Sequence, residues 1–155
     1  MNYWLFKNEP DAYGVDDLDA ESDKTTSWNG VRNYQARNFM RDDMKKGDKG
    51  FFYHSNCDIP AVVGIVEIVR EAYVDHTAFD SNDKYFDAKS DPENPRWFMV
   101  DVKLVRKLKR PIPLREVKEY ADKLEGFRLI AKGNRLSVMP VEPAHWKLVL
   151  SLENK

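Results

Sequence analysis

The residues with the richest chemistry sit in one stretch: Trp28-Asn29-Gly30-Val31-Arg32-Asn33-Tyr34-Gln35-Ala36-Arg37-Asn38. It packs one Trp, one Tyr, two Arg and three Asn into eleven residues, with a glycine at a turn position. Guanidinium and amide groups need partners wherever they are buried, so such a mixture is costly to hide in a core. It suits gripping something flat and polar. The competing reading of the same stretch is an amphipathic surface helix with a solvated polar face. Elsewhere, Trp4, Tyr53 and Trp97 each stand near polar groups, respectively Lys7, His54 with Ser55, and Arg96. An aromatic face with donors beside it is what a stacked nucleobase needs, and each stacked base is worth ~1–3 kcal/mol. Two or three of these rings, Trp4 and Trp146 above all, are equally suited to a core.

Other chemistries are less well served. His54, Cys57 and Asp58 are close in sequence, but His76 and His145 have no partner at a recognised metal-ligand spacing. His54 and Ser55 are neighbours in an expected strand, so their side chains diverge and cannot pair as base and nucleophile. The seven glycines form no phosphate-cradling loop. No catalytic residue, metal site or cofactor is therefore expected. The basic run Lys103–Arg110 offers Lys107, Lys109 and Arg110 as phosphate contacts, with Arg37 as a further candidate; solvated charge at a strand end is the plainer alternative.

The elements that must position these residues follow from periodicity. Asn33 is placed to cap a helix over Asn33–Met44, with Ala36, Phe39, Met40 and Met44 on its apolar face. Strands are predicted at Tyr3–Lys7, Phe51–His54, Ala61–Val69 and Phe98–Arg106, and a short one at Leu136–Val138. Val15–Leu18 reads as a helical turn and Glu21–Ser27 as a polar loop. Gly64 marks a bend or bulge in an apolar strand. Pro111-Ile112-Pro113 is expected to stop the strand before it, a helix to follow over Leu114–Leu124, and Pro143 to open a last helix to Leu152. Asp75–Pro95 is too long and polar to be mere connection, and loops of that kind are often functional. Strands and short helices without βαβ alternation give an α+β class with a curled, barrel-like sheet.

The 155 residues fit one compact domain, 1–155. A net charge of -1 leaves no overall positive field, so any nucleic-acid binding must come from a local patch or a shaped pocket. The single Cys57 excludes a disulfide framework and fits a reducing compartment. The start lacks a basic region followed by an apolar run, and no segment approaches the ~20 apolar residues of a membrane span. A cytoplasmic protein is expected, or a nuclear one in a eukaryote.

Several of these segments together resemble a known family. Tyr3-Trp4-Leu5-Phe6-Lys7-Asn8-Glu9-Pro10, Trp28 to Asn38, Phe52-Tyr53-His54-Ser55-Asn56 and Leu136-Ser137-Val138 occur in the order and spacing of the EVE domain family. Lys84-Tyr85-Phe86-Asp87 and Pro95-Arg96-Trp97-Phe98 strengthen the match, which runs from Tyr3 to about Leu150. The resemblance implies a PUA-like, mostly antiparallel sheet with packed helices, and a pocket that takes a modified, flipped nucleobase, most directly in DNA. It implies no cofactor and no catalysis. Carried over by motif, the pocket residues are Trp28, Arg32, Asn33, Tyr53, His54, Ser55 and Ser137, with Trp97 as a further wall and Lys7 beside them. Asn8 stands where the family more often has Ser before Glu-Pro. A PUA-type RNA-binding module and a small nucleotide-acting enzyme are the alternatives.

Overall fold

The computed structural model describes residues 1–155. Six strands form one sheet: β1 Tyr3–Asn8, β2 Thr25–Ser27, β3 Lys49–His54, β4 Ala61–Val74, β5 Phe98–Pro113 and β6 Val138–Val141. Their spatial order is β2-β5-β4-β3-β1-β6, so the sheet is open, with β2 and β6 as edges. The barrel expected from sequence is therefore a curled sheet that does not close. All pairings are antiparallel except the internal β1–β3 pair. That pair is parallel because the chain between them makes a long crossover rather than a hairpin.

The crossover carries α1 Pro10–Tyr13, α2 Val15–Asp19, β2, and α3 Tyr34–Asn38. Asn33 caps α3, its Oδ1 accepting the Ala36 N–H at 3.0 Å. The single helix expected to Met44 instead widens after Asn38 into a wide turn over Phe39–Asp43, where the Met44 N–H reaches the Phe39 carbonyl five residues back. After β5 come α4 Leu114–Lys118, shorter than expected and continued only by a tight turn at Ala121–Lys123, and α5 Pro143–Ser151.

Glu21–Ser27, read as loop, ends in β2, which pairs with Lys103 to Asp101 of β5. Because β2 covers only that part, the outer edge of β5 beyond it is unpaired. Pro111 and Pro113 are tolerated there, and β5 continues past the stop expected at Pro111 to pair Ile112 with Val62. Register shifts punctuate β4 against both neighbours, one of them at Gly64, and these supply the curl.

Alternation divides the core between the two faces of the sheet. On one face Phe6 and Phe52 meet Trp28 edge-on at 5.2 and 5.5 Å, and His54 stands beside Phe52. On the other, Tyr3 and Phe51 stack on Trp146 of α5 at 4.5 and 3.9 Å. Tyr53 follows Phe51 by two residues and so shares that second face.

Candidate nucleobase pocket and its clamp

A cavity of about 240 Å³ opens where the C-terminal end of β1 and the end of β2 meet the long loop after β4. Asn8, Tyr13, Ser27, Trp28 and Asn29 line one side, Lys84 and Tyr85 the other. Trp28 is only 6% exposed, wedged between Phe6 and Phe52. The indole N–H groups of Trp4 and Trp97 donate to Asp48 and Asp87, whereas that of Trp28 has no partner within the protein. The Tyr13 hydroxyl is enclosed beside Thr26 on the same wall. The side chains of Ser27 and Asn29 make no hydrogen bond to the protein. The cavity thus combines aromatic walls with uncommitted donors and acceptors, the combination that fixes a flat heterocycle by stacking and edge contacts.

The long loop is held by the turn that follows Trp28. Gly30 has φ +78, and a Cβ built there would lie 2.5 Å from the Tyr85 ring. Only glycine allows both that backbone and that approach. Asp75, wholly buried, accepts the Gly30 N–H at 2.8 Å, Arg32 Nη1 at 3.0 Å and the Thr77 hydroxyl at 2.6 Å. Burial pushes its pKa up, but the Thr77, Gly30 and Arg32 donors outweigh this and hold it below the usual carboxylate range. Arg32 spends its donors inside the protein: Nε and Nη2 on the Tyr85 carbonyl, Nη2 also on Thr77, and Nη1 on Asp75 and the Val31 carbonyl. A guanidinium has five N–H donors and these contacts use them all. Arg32 therefore fixes the Tyr85 wall and has no donor left for a ligand.

Outside the clamp lies a layered stack. Arg32 sits over the Tyr85 and Trp97 rings at 5.7 and 5.4 Å, Tyr34 stacks on Trp97 at 4.8 Å, and Arg37 covers Tyr34 at 4.9 Å. Trp97 is held by Asp87 at 2.7 Å and does not line the cavity.

The other residues singled out in the sequence lie apart from the cavity. Tyr53 and Lys7, paired in register, occupy the face opposite Trp28, so Trp28 and Tyr53 cannot wall a single slot as expected. Burial pushes the Tyr53 phenol up to about 12. His54 is on the Trp28 face, but its Nε2 accepts the Val15 N–H at 3.1 Å, and burial lowers its pKa. Ser55 donates its N–H to the Asn8 carbonyl, and the Ser137 carbonyl accepts the Lys7 N–H, which ties both to the pocket rim through backbone. Asn33 lies beyond Arg32, outside the cavity. Of the phosphate candidates, Lys107 meets Asp16 at 2.5 Å, Arg110 is bound by Glu116, and Lys109 reaches Asn154 at 2.8 Å. Arg37 donates to the Arg96 carbonyl at 2.6 Å. No group of three or more His, Cys, Asp and Glu side chains is arranged to hold a metal, and no helix is long and apolar enough to cross a membrane.

Sequence reasoning missed Ser27, Asn29, Tyr85, Lys84 and Tyr13 as pocket residues. The signals were the length of the loop after β4 and the Lys84-Tyr85-Phe86-Asp87 segment within it.

An open, curled mixed sheet with one internal parallel pair and a pocket beside the end of β1 defines a PUA-like α+β domain. The EVE domain family model matches residues 2–152, and the chain belongs to that family. Thymocyte nuclear protein 1 of Gallus gallus is 48% identical, over 99% of this chain and 69% of its own length. A solved structure of human THYN1 protein in complex with 5-methylcytosine-containing DNA superposes with TM-score 0.96 at 44% identity, covering 100% of this chain and 99% of that one. A Pseudomonas putida protein structure gives TM-score 0.92 at 44% identity, covering 97% and 99%.

Proposed function

We propose that this domain binds DNA and reads a modified base, with 5-methylcytosine as the first candidate, by taking the flipped base between Trp28 and Tyr85. The likeness to human THYN1 in complex with 5-methylcytosine-containing DNA supports the ligand class. The observation that carries the location is the cavity itself, lined both by a buried indole whose N–H has no partner in the protein and by Tyr85, whose backbone carbonyl Arg32 holds from its ion pair with Asp75. Unstacking a base costs a few kcal/mol, and stacking plus edge hydrogen bonds repay it. The reading is of a binding module without turnover: the His54 lone pair on Nε2 is already committed to the Val15 N–H, and Arg32 is committed to the loop.

Titration with an oligonucleotide carrying one 5-methylcytosine, followed by NMR, tests the location. The Trp28 indole N–H signal should shift while those of Trp4 and Trp97, bonded to carboxylates, stay in place. Shifts confined to signals away from Trp28 would reject this cavity.

A further inference from the structure

The chain carries 26 acidic residues, and its two longest stretches without one are Lys24–Arg41 and Gly126–Val141. The structure brings them together. Asn33 and Gln35, from the start of α3, face Arg128, Lys132, Asn134 and Arg135 across a cleft of about 350 Å³. None of Arg128, Lys132 and Arg135 lies within 4.0 Å of a carboxylate, whereas Arg106, Lys107 and Arg110 of the more conspicuous basic run are each paired with Glu or Asp. Gly133, at φ +77, makes the turn between Lys132 and Arg135. Concentrated, uncompensated positive charge in a concave surface raises the local concentration of an anion even on a protein of net charge -1.

The cleft is also connected to the pocket by two short paths. Trp28 and Asn29 line the cavity and Asn33 lines the cleft. Leu136 lines the cleft, while the next residue, Ser137, accepts the Lys7 N–H beside Asn8 of the cavity. The five residue steps from Trp28 to Asn33 span at most ~17 Å when fully extended. Phosphates on one strand advance ~3.4 Å each along the duplex axis, so the cleft lies within about five phosphates of a base held against Trp28.

We infer that the cleft between the start of α3 and the 128–136 loop, with Arg128, Lys132 and Arg135, holds the DNA phosphate backbone flanking the base taken into the pocket. The ligand class rests on the reading above; the cleft adds the element that docks the strand. Base contacts then specify and these cations position.

The test is a salt titration of affinity for two otherwise identical oligonucleotides, one with 5-methylcytosine and one with cytosine. It compares the full chain, Lys132→Ala/Arg135→Ala, and Arg115→Ala/Lys118→Ala, which removes the same charge from α4. Both pairs are exposed, and matched melting temperatures verify folding. Each lost phosphate contact lowers the logarithmic salt slope by ~0.9, so the cleft variant should lose about 2 from its slope. Its affinity drop between ~50 and ~200 mM salt should then be ~12-fold smaller than that of the parent, for both oligonucleotides. The α4 variant should keep the parent slope. An unchanged slope in the cleft variant, or an equal loss in the α4 variant, overturns the inference while leaving the base reading intact. Equal parent affinity for the two oligonucleotides, with the slope still reduced in the cleft variant, overturns the base reading and supports the cleft. No binding of either oligonucleotide by the parent overturns both.

Discussion

Arg32 Nη1 stands 3.0 Å from the buried carboxylate of Asp75, and this ion pair ties the turn after Trp28 to the root of the long loop that carries Tyr85. Removing one partner of a buried pair leaves the other charge uncompensated. Arg32→Ala should therefore cost about 3 kcal/mol, the lower end of the usual range because Arg32 keeps some solvent contact. Arg32→Lys should recover part of that stability but not the DNA affinity, since an ammonium cannot reproduce the fork on the Tyr85 carbonyl. Denaturant midpoints and oligonucleotide affinities of the two variants check this. An Arg32→Ala protein of full stability and no affinity would make Arg32 a direct ligand contact instead.

Gly30→Ala places a methyl group against the Tyr85 ring at a left-handed backbone position. The backbone costs ~1–2 kcal/mol and the overpacking ~1–3 kcal/mol. Tyr85 should give way, so binding should suffer more than the melting temperature implies. Comparing Gly30→Ala with Gly133→Ala separates the two effects. Gly133 has a similar φ of +77 but nothing near its Cβ position, and should lose stability without affinity for a free modified nucleoside.

Local patterning made the strands legible. The alternation in Phe98–Arg106 and the apolar run of Ala61–Val69 pointed to β5 and β4, and Asn33 announced the cap of α3. What one sequence could not carry was the relation between segments. The divergence of Trp28 and Tyr53 depends on which residue of β3 pairs with which of β1, and on the face that β2 delivers Trp28 to. The role of Arg32 depends on Asp75 and Tyr85, 43 and 53 residues away. Likewise Lys107 and Arg110 look available in a basic run until the fold brings Asp16 and Glu116 to them. A motif names reactive groups; only the fold shows which of them are already spent.

That accounting gives a prediction for the paired run. Lys107→Ala/Arg110→Ala should leave the salt dependence of DNA binding nearly unchanged, because Lys107 is already compensated by Asp16 and Asp19 and Arg110 by Glu116. A slope reduced by about 2 would place the phosphate track along β5 instead.

His54 should give the fold a pH dependence. Burial lowers its pKa, outweighing the attraction of Asp16 and Asp17, so the unfolded chain binds the proton more tightly than the folded one. Its contribution is full above the unfolded value of ~6.5 and is lost as pH falls below it, where protonation removes the acceptor for the Val15 N–H. Urea midpoints measured across that range should slope upward with pH. His54→Gln, which keeps an acceptor without a titration, should flatten the slope, and an identical slope in the variant would assign the effect to other groups.

Truncating Trp28 is a poor test of the pocket, since removing a 6%-exposed ring between two phenylalanines costs ~3–5 kcal/mol of stability. Tyr85 is the better one, a half-buried side chain at the cavity wall. The most direct measurement is calorimetric titration of the parent chain and Tyr85→Ala with one oligonucleotide, carrying 5-methylcytosine or cytosine at a single position. The account predicts a clear parent preference for the methylated strand, and in Tyr85→Ala a loss of ~1–3 kcal/mol on that strand that closes most of the gap. Equal parent affinity for the two strands, or a preference that survives Tyr85→Ala unchanged, would contradict it.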